Sequence, residues 1–220
     1  MASRTTLVGI ATGTPDGGVA IVRLSGPDAA VIVRVLGVEP GPPRMLVVRT
    51  LQLGDGAHEH ALVVAMPGPH SFTGEDVVEL HVHAGRRNVE QVVGACLRAG
   101  AISAGPGEFT RRAFEHGRLT LEQAEGVAAI IAAQTDAALA QARRLAAGEL
   151  GREVDELLAS LLELRAEIEA QLDFPEDVAA ADVERWSDVL AECSDVLARW
   201  LLRFAAGQRS RARPRVVLAG

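Results

Sequence analysis

Alternating apolar and polar positions predict strands in the first half of the chain. Residues 5–12 and 18–24 are rich in Val and Ile and flank a turn of Gly, Pro and Asp, so we expect two paired strands. Residues 44–53 and 60–66 are predicted to form a hairpin around a Gly-Asp-Gly turn. A further strand is expected from about residue 76 to residue 83, where strict alternation follows a turn-rich loop.

Helical spacing of apolar residues predicts two short helices among these strands. They cover residues 27–36 and 86–99, and a glycine ends each of them. A Gly/Pro elbow at 105–107 then precedes one amphipathic turn that reaches Phe114. We therefore expect an α+β domain with about five strands in a mixed sheet and two short helices packed on it.

The strand that ends at His83 has two unlike faces. Val78, Leu80 and Val82 are predicted to point into a core, because successive side chains of a strand alternate across the sheet. The opposite face carries Glu79 and two histidines, and a carboxylate beside imidazoles is costly to bury. This face is therefore a candidate wall of a ligand site.

From Thr120 onward the pattern becomes helical, with few glycines or prolines. One long helix is predicted over 120–147, a second over 152–172 and a third over about 182–206. The third helix carries a seam typical of a helical bundle, formed by Trp186, Leu190, Cys193, Leu197, Trp200 and Phe204. The second half is thus expected to be an all-α bundle of long helices.

Composition and charge narrow the possible functions. A formal charge of -7 and a pI near 5.4 argue against binding nucleic acid by bulk electrostatics, which needs a basic surface. All 22 basic residues are Arg. Cys96 and Cys193 are far apart in sequence, which suits two inert thiols in a reducing compartment. The early residues lack a signal peptide's apolar region, and no membrane-spanning run is found, so we expect a soluble, cytoplasmic protein.

Two clusters of residues are candidates for chemistry. Arg23 stands at the end of an apolar strand, and it is either an edge arginine whose head reaches water or a clamp for an anion. Glu79, His81 and His83 share one strand face and could ligate a metal ion, although a fourth ligand and an open position would be required. A polar ligand wall or a subunit interface is the alternative for the same face.

The sequence resembles the MnmE (TrmE) family of tRNA modification GTPases along its whole length. The blocks that carry the resemblance are GGVAIVRLSG at 17–26, PGPHSFTGED at 67–76, ELHVH at 79–83, PGEF at 106–109, RAF at 112–114, LEQAE at 121–125 and DFPE at 173–176. The resemblance implies an N-terminal α+β domain similar to the folate-binding domain of aminomethyltransferases. It also implies a helical domain into which a potassium-stimulated, Ras-like GTP-binding domain is inserted.

The resemblance further implies a function and a set of partners. Members of the family form homodimers through the N-terminal domain, which holds 5-formyl- or 5,10-methylene-tetrahydrofolate. With the FAD protein MnmG they add a (carboxymethyl)aminomethyl group to the wobble uridine of tRNA, which they contact through the complex. The family's folate contacts fall on Arg23, Glu79 and Arg118, and the family has Lys at the last of these positions. Glu79 would accept hydrogen bonds from the pterin ring, and the arginines would serve the anionic tail or orient the pocket.

The resemblance also divides the chain and leaves alternatives. Residues 1–117 are expected to be the folate-binding and dimerisation domain, 118–213 the first part of the helical domain, and 214–220 the first strand of a GTPase domain. Gly220 aligns with the first glycine of the family's phosphate-binding loop, so we expect this chain alone to be inactive as a GTPase. GTP, Mg²⁺ and K⁺ would belong only to the full-length family. A free-standing one-carbon-folate binding protein and a metal-dependent enzyme using the Glu79 face are the competing hypotheses.

Overall fold

The computed structural model describes residues 5–13, 17–176 and 182–210, with side chains in the last segment described through Phe204. The chain divides into two compact units, Met1–Thr120 and Leu121–Gly220. The first unit is α+β and the second is helical, so the fold class predicted from the sequence is confirmed. The strand predicted at the end of the chain lies outside the described residues.

A mixed sheet forms the base of the first unit. Its strands are β1 (Leu7–Ile10), β2 (Val19–Ser25), β3 (Val47–Gly54), β4 (Ala57–Met66), β5 (Val77–His83) and β6 (Ile102–Ser103). These six strands lie in the order β3-β4-β5-β2-β1-β6. All neighbours are antiparallel except β1 and β6, which are parallel. The prediction of about five strands missed β6, because two residues are too few to show alternation.

Helices cover one face of this sheet. They are α1 (Ala29–Val35) and α2 (Arg86–Arg98), and their buried residues join those of the strands in a single hydrophobic cluster. The cluster takes alternate residues of β2 and β5, as the strand pattern predicted. A third helix, α3 (Glu108–Glu115), occupies the segment where the sequence indicated a single turn. Cys96 lies in the cluster, and burial raises the pKa of its thiol to about 12, which fits the predicted inert thiol.

The register of the central strands places the polar residues of the other face in rows. Arg23 of β2 pairs with Glu79 of β5 on one side and with Gly9 of β1 on the other. Ile21 pairs with His81 in the next row along the same face. Because side chains two residues apart share a face, the predicted polar wall of β5 lies opposite the α1/α2 core.

The helical unit contains four helices among its described residues. They are α4 (Leu121–Ala132), α5 (Asp136–Ala146), α6 (Glu149–Asp173) and α7 (Val183–Ser210). The prediction of one continuous helix over 120–147 was wrong, because the chain breaks before Asp136. Thr135 there has an extended backbone (φ −134°, ψ 153°), and its side chain accepts a hydrogen bond from the Ala138 N–H. The residue therefore caps a new helix and ends the old one.

The predicted seam of α7 is only partly buried. Cys193 is buried and the two tryptophans are half-buried, whereas Leu190, Leu197 and Phe204 are exposed. On α6, Leu164 is buried. In the described ranges no helix combines the length and the apolar character that crossing a bilayer requires.

Candidate functional site

An ion pair between neighbouring strands lies at the centre of the open sheet face. Nε and Nη2 of Arg23 lie 2.8 and 2.7 Å from the same Oε1 atom of Glu79. The two side chains retain 21% and 13% of their exposure, so water screens the pair only in part. The other oxygen, Oε2, lies 3.3 Å from Nε2 of His81. The carboxylate thus keeps acceptor capacity on both oxygens while the arginine fixes its orientation.

Two aromatic rings contact the guanidinium of Arg23. Its Cζ atom lies 5.2 Å from the ring centre of Phe72 and 5.5 Å from that of Phe109. Phe72 comes from the loop between β4 and β5, and Phe109 comes from the first turn of α3. Both distances suit cation–π attraction, which strengthens where water is partly excluded. The site therefore combines a carboxylate, a cation and two ring faces.

A glycine makes room for one of these rings. A Cβ atom at Gly9 would come within 3.0 Å of Cε2 of Phe109 and within 3.0 Å of Cβ of Ala104. Real Cβ atoms rarely approach neighbours so closely, so any side chain at this position would push the ring aside. Gly9 is also the register partner of Arg23. The absence of a side chain here lets Phe109 reach the arginine.

The loop between β4 and β5 brings the third predicted contact residue into the same neighbourhood. Arg118 is exposed, and its backbone N–H donates to the carbonyl oxygen of Ala113 at 2.8 Å. Its Cγ atom would lie 3.2 Å from a Cβ atom at Gly74, so its stem runs along this loop. The loop thus contacts two arginines: Phe72 contacts Arg23, and Gly74 lies against Arg118.

Sequence reasoning missed both phenylalanines and a buried ion pair beside them. Phe72 and Phe109 belong to motifs that the sequence displays, but spacing along the chain does not reveal which cation a ring will contact. Arg112 and Glu75 are both nearly inaccessible, with 5% and 9% of their side chains exposed, and they form an ion pair of 2.9 Å. The sequence signal for this ion pair is that each residue lies inside one of the blocks that carry the family resemblance, Glu75 in 67–76 and Arg112 in 112–114.

The structure separates His83 from the other two candidates for a metal site, whereas Glu79 and His81 lie 3.3 Å apart. His83 turns to Glu59, whose Oε1 accepts hydrogen bonds from the backbone N–H of His83 at 2.8 Å and from its Nδ1 at 2.9 Å. Glu79 is instead engaged by Arg23 and His81. Within the described ranges, no group of three or more His, Cys, Asp or Glu side chains could hold a metal ion. The metal-dependent hypothesis therefore lacks a ligand set in this part of the chain.

Burial and hydrogen bonding act in opposite directions on Glu59. Burial raises the pKa of this carboxyl group, but hydrogen bonds from His83 and Asn88 outweigh it and hold the pKa below its ordinary value of 4.5. Glu59 is therefore an anion at neutral pH and fixes the ring of an exposed histidine. This arrangement stands apart from the Arg23–Glu79 pair, because it joins the opposite end of β5 to β4.

The helical unit contains a groove of about 650 Å³. Alanines of α4 and α5 form one side of it, and Trp200 and Phe204 of α7 form part of the other. Its lining is mostly apolar, and its polar groups pair with one another: Arg144 contacts Glu149 and Glu153, and Glu153 also accepts a hydrogen bond from Nε1 of Trp200. The open sheet face of the first unit remains the candidate ligand site, because it holds the predicted contact residues Arg23 and Glu79.

Comparison with known proteins identifies both units. A family model described as "GTP-binding protein TrmE N-terminus" matches residues 6–118. A second, described as "MnmE helical domain", matches residues 121–212.

Curated relatives agree with these matches over nearly the whole chain. The protein named "tRNA modification GTPase MnmE" of Halorhodospira halophila is 44% identical over 218 residues, covering 98% of this chain and 46% of the relative. Those of Symbiobacterium thermophilum and Caulobacter vibrioides, with the same name, are each 41% identical across 98% of this chain and cover 49% and 48% of the relative. The chain spans about half the length of the curated relatives it matches.

Proposed function

Because this chain belongs to the MnmE (TrmE) family of tRNA modification GTPases and comprises its N-terminal and helical domains, we propose that its first unit binds a reduced folate. The folate would be 5-formyl- or 5,10-methylene-tetrahydrofolate. The observation that carries the proposal is the Arg23–Glu79 ion pair with Phe72 and Phe109 against its arginine. This site lies on the sheet face opposite the α1/α2 core.

The chemistry of these side chains fits a pterin ring. A pterin presents neighbouring N–H donors, and the carboxylate of Glu79 has lone pairs left on both oxygens after its bonds to Arg23 and His81. A planar heterocycle also packs well against the faces of phenylalanine rings. Glu79 would hold the donors, and Arg23 would keep the carboxylate oriented and ionised. A folate bound here would supply the one-carbon unit of the modification.

Arg118 supports the other end of the proposed ligand. Arg118 is exposed and its stem packs along the loop at Gly74, two residues after Phe72, so its charge would be available to an anion beside this loop. Folates carry a glutamate tail with carboxylates at neutral pH. Arginine in place of the family's lysine keeps the positive charge and adds a planar fork that can grip a carboxylate at two points.

The wider role follows from family membership. We propose that the chain acts as a homodimer through its first unit, together with the FAD protein MnmG, in adding a (carboxymethyl)aminomethyl group to the wobble uridine of tRNA in the cytoplasm. The tRNA would be held through the complex, which agrees with the chain's net charge of -7. The family's site for GTP, Mg²⁺ and K⁺ would lie in the half of the relatives that this chain does not match.

Calorimetric titration with 5-formyl-tetrahydrofolate tests the folate proposal. We expect saturable binding by the wild-type chain and affinity at least about tenfold lower for Glu79→Gln, since hydrogen bonds to a charged group contribute about 1.5–3 kcal/mol. The matched control is Glu59→Gln, which removes a buried carboxylate elsewhere on the sheet and should leave affinity unchanged. Absence of binding by the wild type, or equal affinity of Glu79→Gln and wild type, would overturn the proposal.

A further inference from the structure

A single buried guanidinium joins three segments beside the candidate site. Arg112 of α3 is only 4% exposed. Its Nη1 atom lies 2.9 Å from the carbonyl oxygen of Thr5 and 3.2 Å from that of Ser25. The same nitrogen lies 3.1 and 2.9 Å from the two carboxylate oxygens of Glu75, and Nη2 donates to Oγ1 of Thr5 at 3.0 Å. The segment just before β1, the end of β2 and the β4–β5 loop are thus tied to one helix.

The carboxylate of Glu75 is held from its other side as well. The hydroxyl of Ser25 donates to Oε2 of Glu75 at 2.7 Å, and it lies 2.7 Å from Oγ1 of Thr73. The Thr73 hydroxyl in turn accepts a hydrogen bond from the Glu75 backbone N–H at 3.3 Å. Ser25 and Thr73 are fully buried. The cluster therefore fixes the backbone of the loop, as well as one side chain in it.

Both aromatic rings of the site are attached to this cluster. Phe72 precedes Glu75 by three residues in the loop that the cluster holds. Phe109 precedes Arg112 by three residues on α3, so the two side chains lie on neighbouring positions of one helix face. The Arg112–Glu75 ion pair connects the helix that carries one ring to the loop that carries the other.

We propose that Arg112, through Glu75, is a positioning residue of the site, which sets the placement of Phe72 and Phe109 around Arg23 and thereby the affinity for a planar ligand. A buried ion pair is weak evidence for stability, because apolar replacements often stabilise a protein as well. The number and direction of the contacts instead indicate a geometric role. The ligand part of this inference rests on the proposed folate function, whereas the ring geometry does not.

The affinity test uses conservative variants and a matched control. Arg112→Lys keeps the charge but has a shorter side chain with a single nitrogen, so it cannot make both the Nη1 contacts with Ser25 and Glu75 and the Nη2 contact with Thr5. We expect its affinity for 5-formyl-tetrahydrofolate to fall about tenfold. Glu75→Gln keeps the shape of the side chain and should also lower the affinity. This second variant tests the positioning role if Arg112→Lys does not fold. The control is Arg98→Lys, because Arg98 is an exposed arginine that likewise donates to a backbone carbonyl, that of Leu53 at 2.7 Å, away from the loop. Its affinity should equal that of the wild type.

A double-mutant cycle separates positioning from general stability. Because Arg112 acts partly through the loop ring, Arg112→Lys should cause a smaller loss of affinity in a Phe72→Ala background than in the wild type. Its effect on the melting temperature should persist in that background. Independent losses of affinity that multiply would overturn the proposal, and so would wild-type affinity in both Arg112→Lys and Glu75→Gln.

Fluorine NMR decides the geometric part even if wild-type protein fails to bind the folate, a result that would refute the proposed function alone. Fluorophenylalanine would label the five phenylalanines of the chain. Arg112→Lys or Glu75→Gln should shift the resonances of Phe72 and Phe109 but leave those of Phe174 and Phe204 in place. Unchanged resonances of Phe72 and Phe109 in a folded variant would overturn the positioning role.

Discussion

The side chains of Arg23 and Glu79 meet across two antiparallel strands, with Nη2 of the arginine 2.7 Å from Oε1 of the glutamate. This contact orders the site, because the same guanidinium lies against Phe72 and Phe109 and the same carboxylate lies against His81. The register of β2 and β5 sets the pair, and the rings cover it. The same contacts that hold the ion pair in place therefore also determine which of its atoms a ligand can reach.

The first prediction concerns the energetic coupling of this pair. Arg23→Gln and Glu79→Gln should each destabilise the fold, because each leaves a partly buried charge without its partner. The double variant should be less destabilised than the sum, with a coupling of about 1–2 kcal/mol in urea denaturation. Additive free energies of unfolding would show that the contact contributes no net interaction.

The second prediction concerns the space that Gly9 leaves for Phe109. Gly9→Val should lower the free energy of unfolding by about 1–3 kcal/mol, because its side chain must displace the ring and Ala104. It should also shift the fluorine resonance of Phe109. Gly13→Ala is the control, since a Cβ atom there meets nothing within 4 Å. Equal stability of Gly9→Val and wild type would contradict the close packing described at this position.

The third prediction uses two helical glycines with opposite surroundings. A Cβ atom at Gly126 of α4 would lie 2.7 Å from Cα of Ala146 on α5, so Gly126→Ala should force these helices apart and cost about 1–3 kcal/mol. At Gly94 of α2 a Cβ atom would meet only the end of the Arg98 side chain at 3.4 Å. Gly94→Ala should therefore stabilise its helix by about 0.5–1 kcal/mol. Thermal melts of both variants test the contrast, which fails if the two shift in the same direction.

The fourth prediction concerns pH and Glu59. Its pKa is lowered in the folded chain, so it contributes stability above its unfolded pKa of about 4.5, and this contribution is lost as pH falls through the folded value. The free energies of unfolding of wild type and Glu59→Gln should differ by about 1–2 kcal/mol near pH 7. That difference should shrink as the pH falls below about 4.5. A difference that stays constant over this range would show that the carboxylate is not specifically stabilised.

Local patterns predicted much of the fold and the sheet face on which Glu79 lies. Alternation in β5 placed Glu79 opposite the core, and the strand assignments allowed Arg23 to be its neighbour. The break before Asp136 was missed, because it contains neither Gly nor Pro and lies in an alanine-rich run. Only the cap formed by Thr135 marks it, and threonine is also common inside helices.

The remaining parts of the site depend on contacts between residues far apart in sequence. Arg112 reaches Thr5 across 107 positions and Glu75 across 37. No periodicity within one segment carries that information, because such a contact follows from how α3 and the β4–β5 loop pack against the end of the sheet. The contact of Arg118 with the loop at Gly74 and the contacts of the two rings with Arg23 also join residues that are far apart in sequence.

A crystal structure of the chain with 5-formyl-tetrahydrofolate would show whether Glu79 receives the pterin of a reduced folate, as we propose. We expect pterin N–H groups within about 3 Å of the Glu79 carboxylate, with Phe72 or Phe109 against the ring system. A folate bound elsewhere on the chain, with Glu79 contacting only Arg23 and His81, would contradict it.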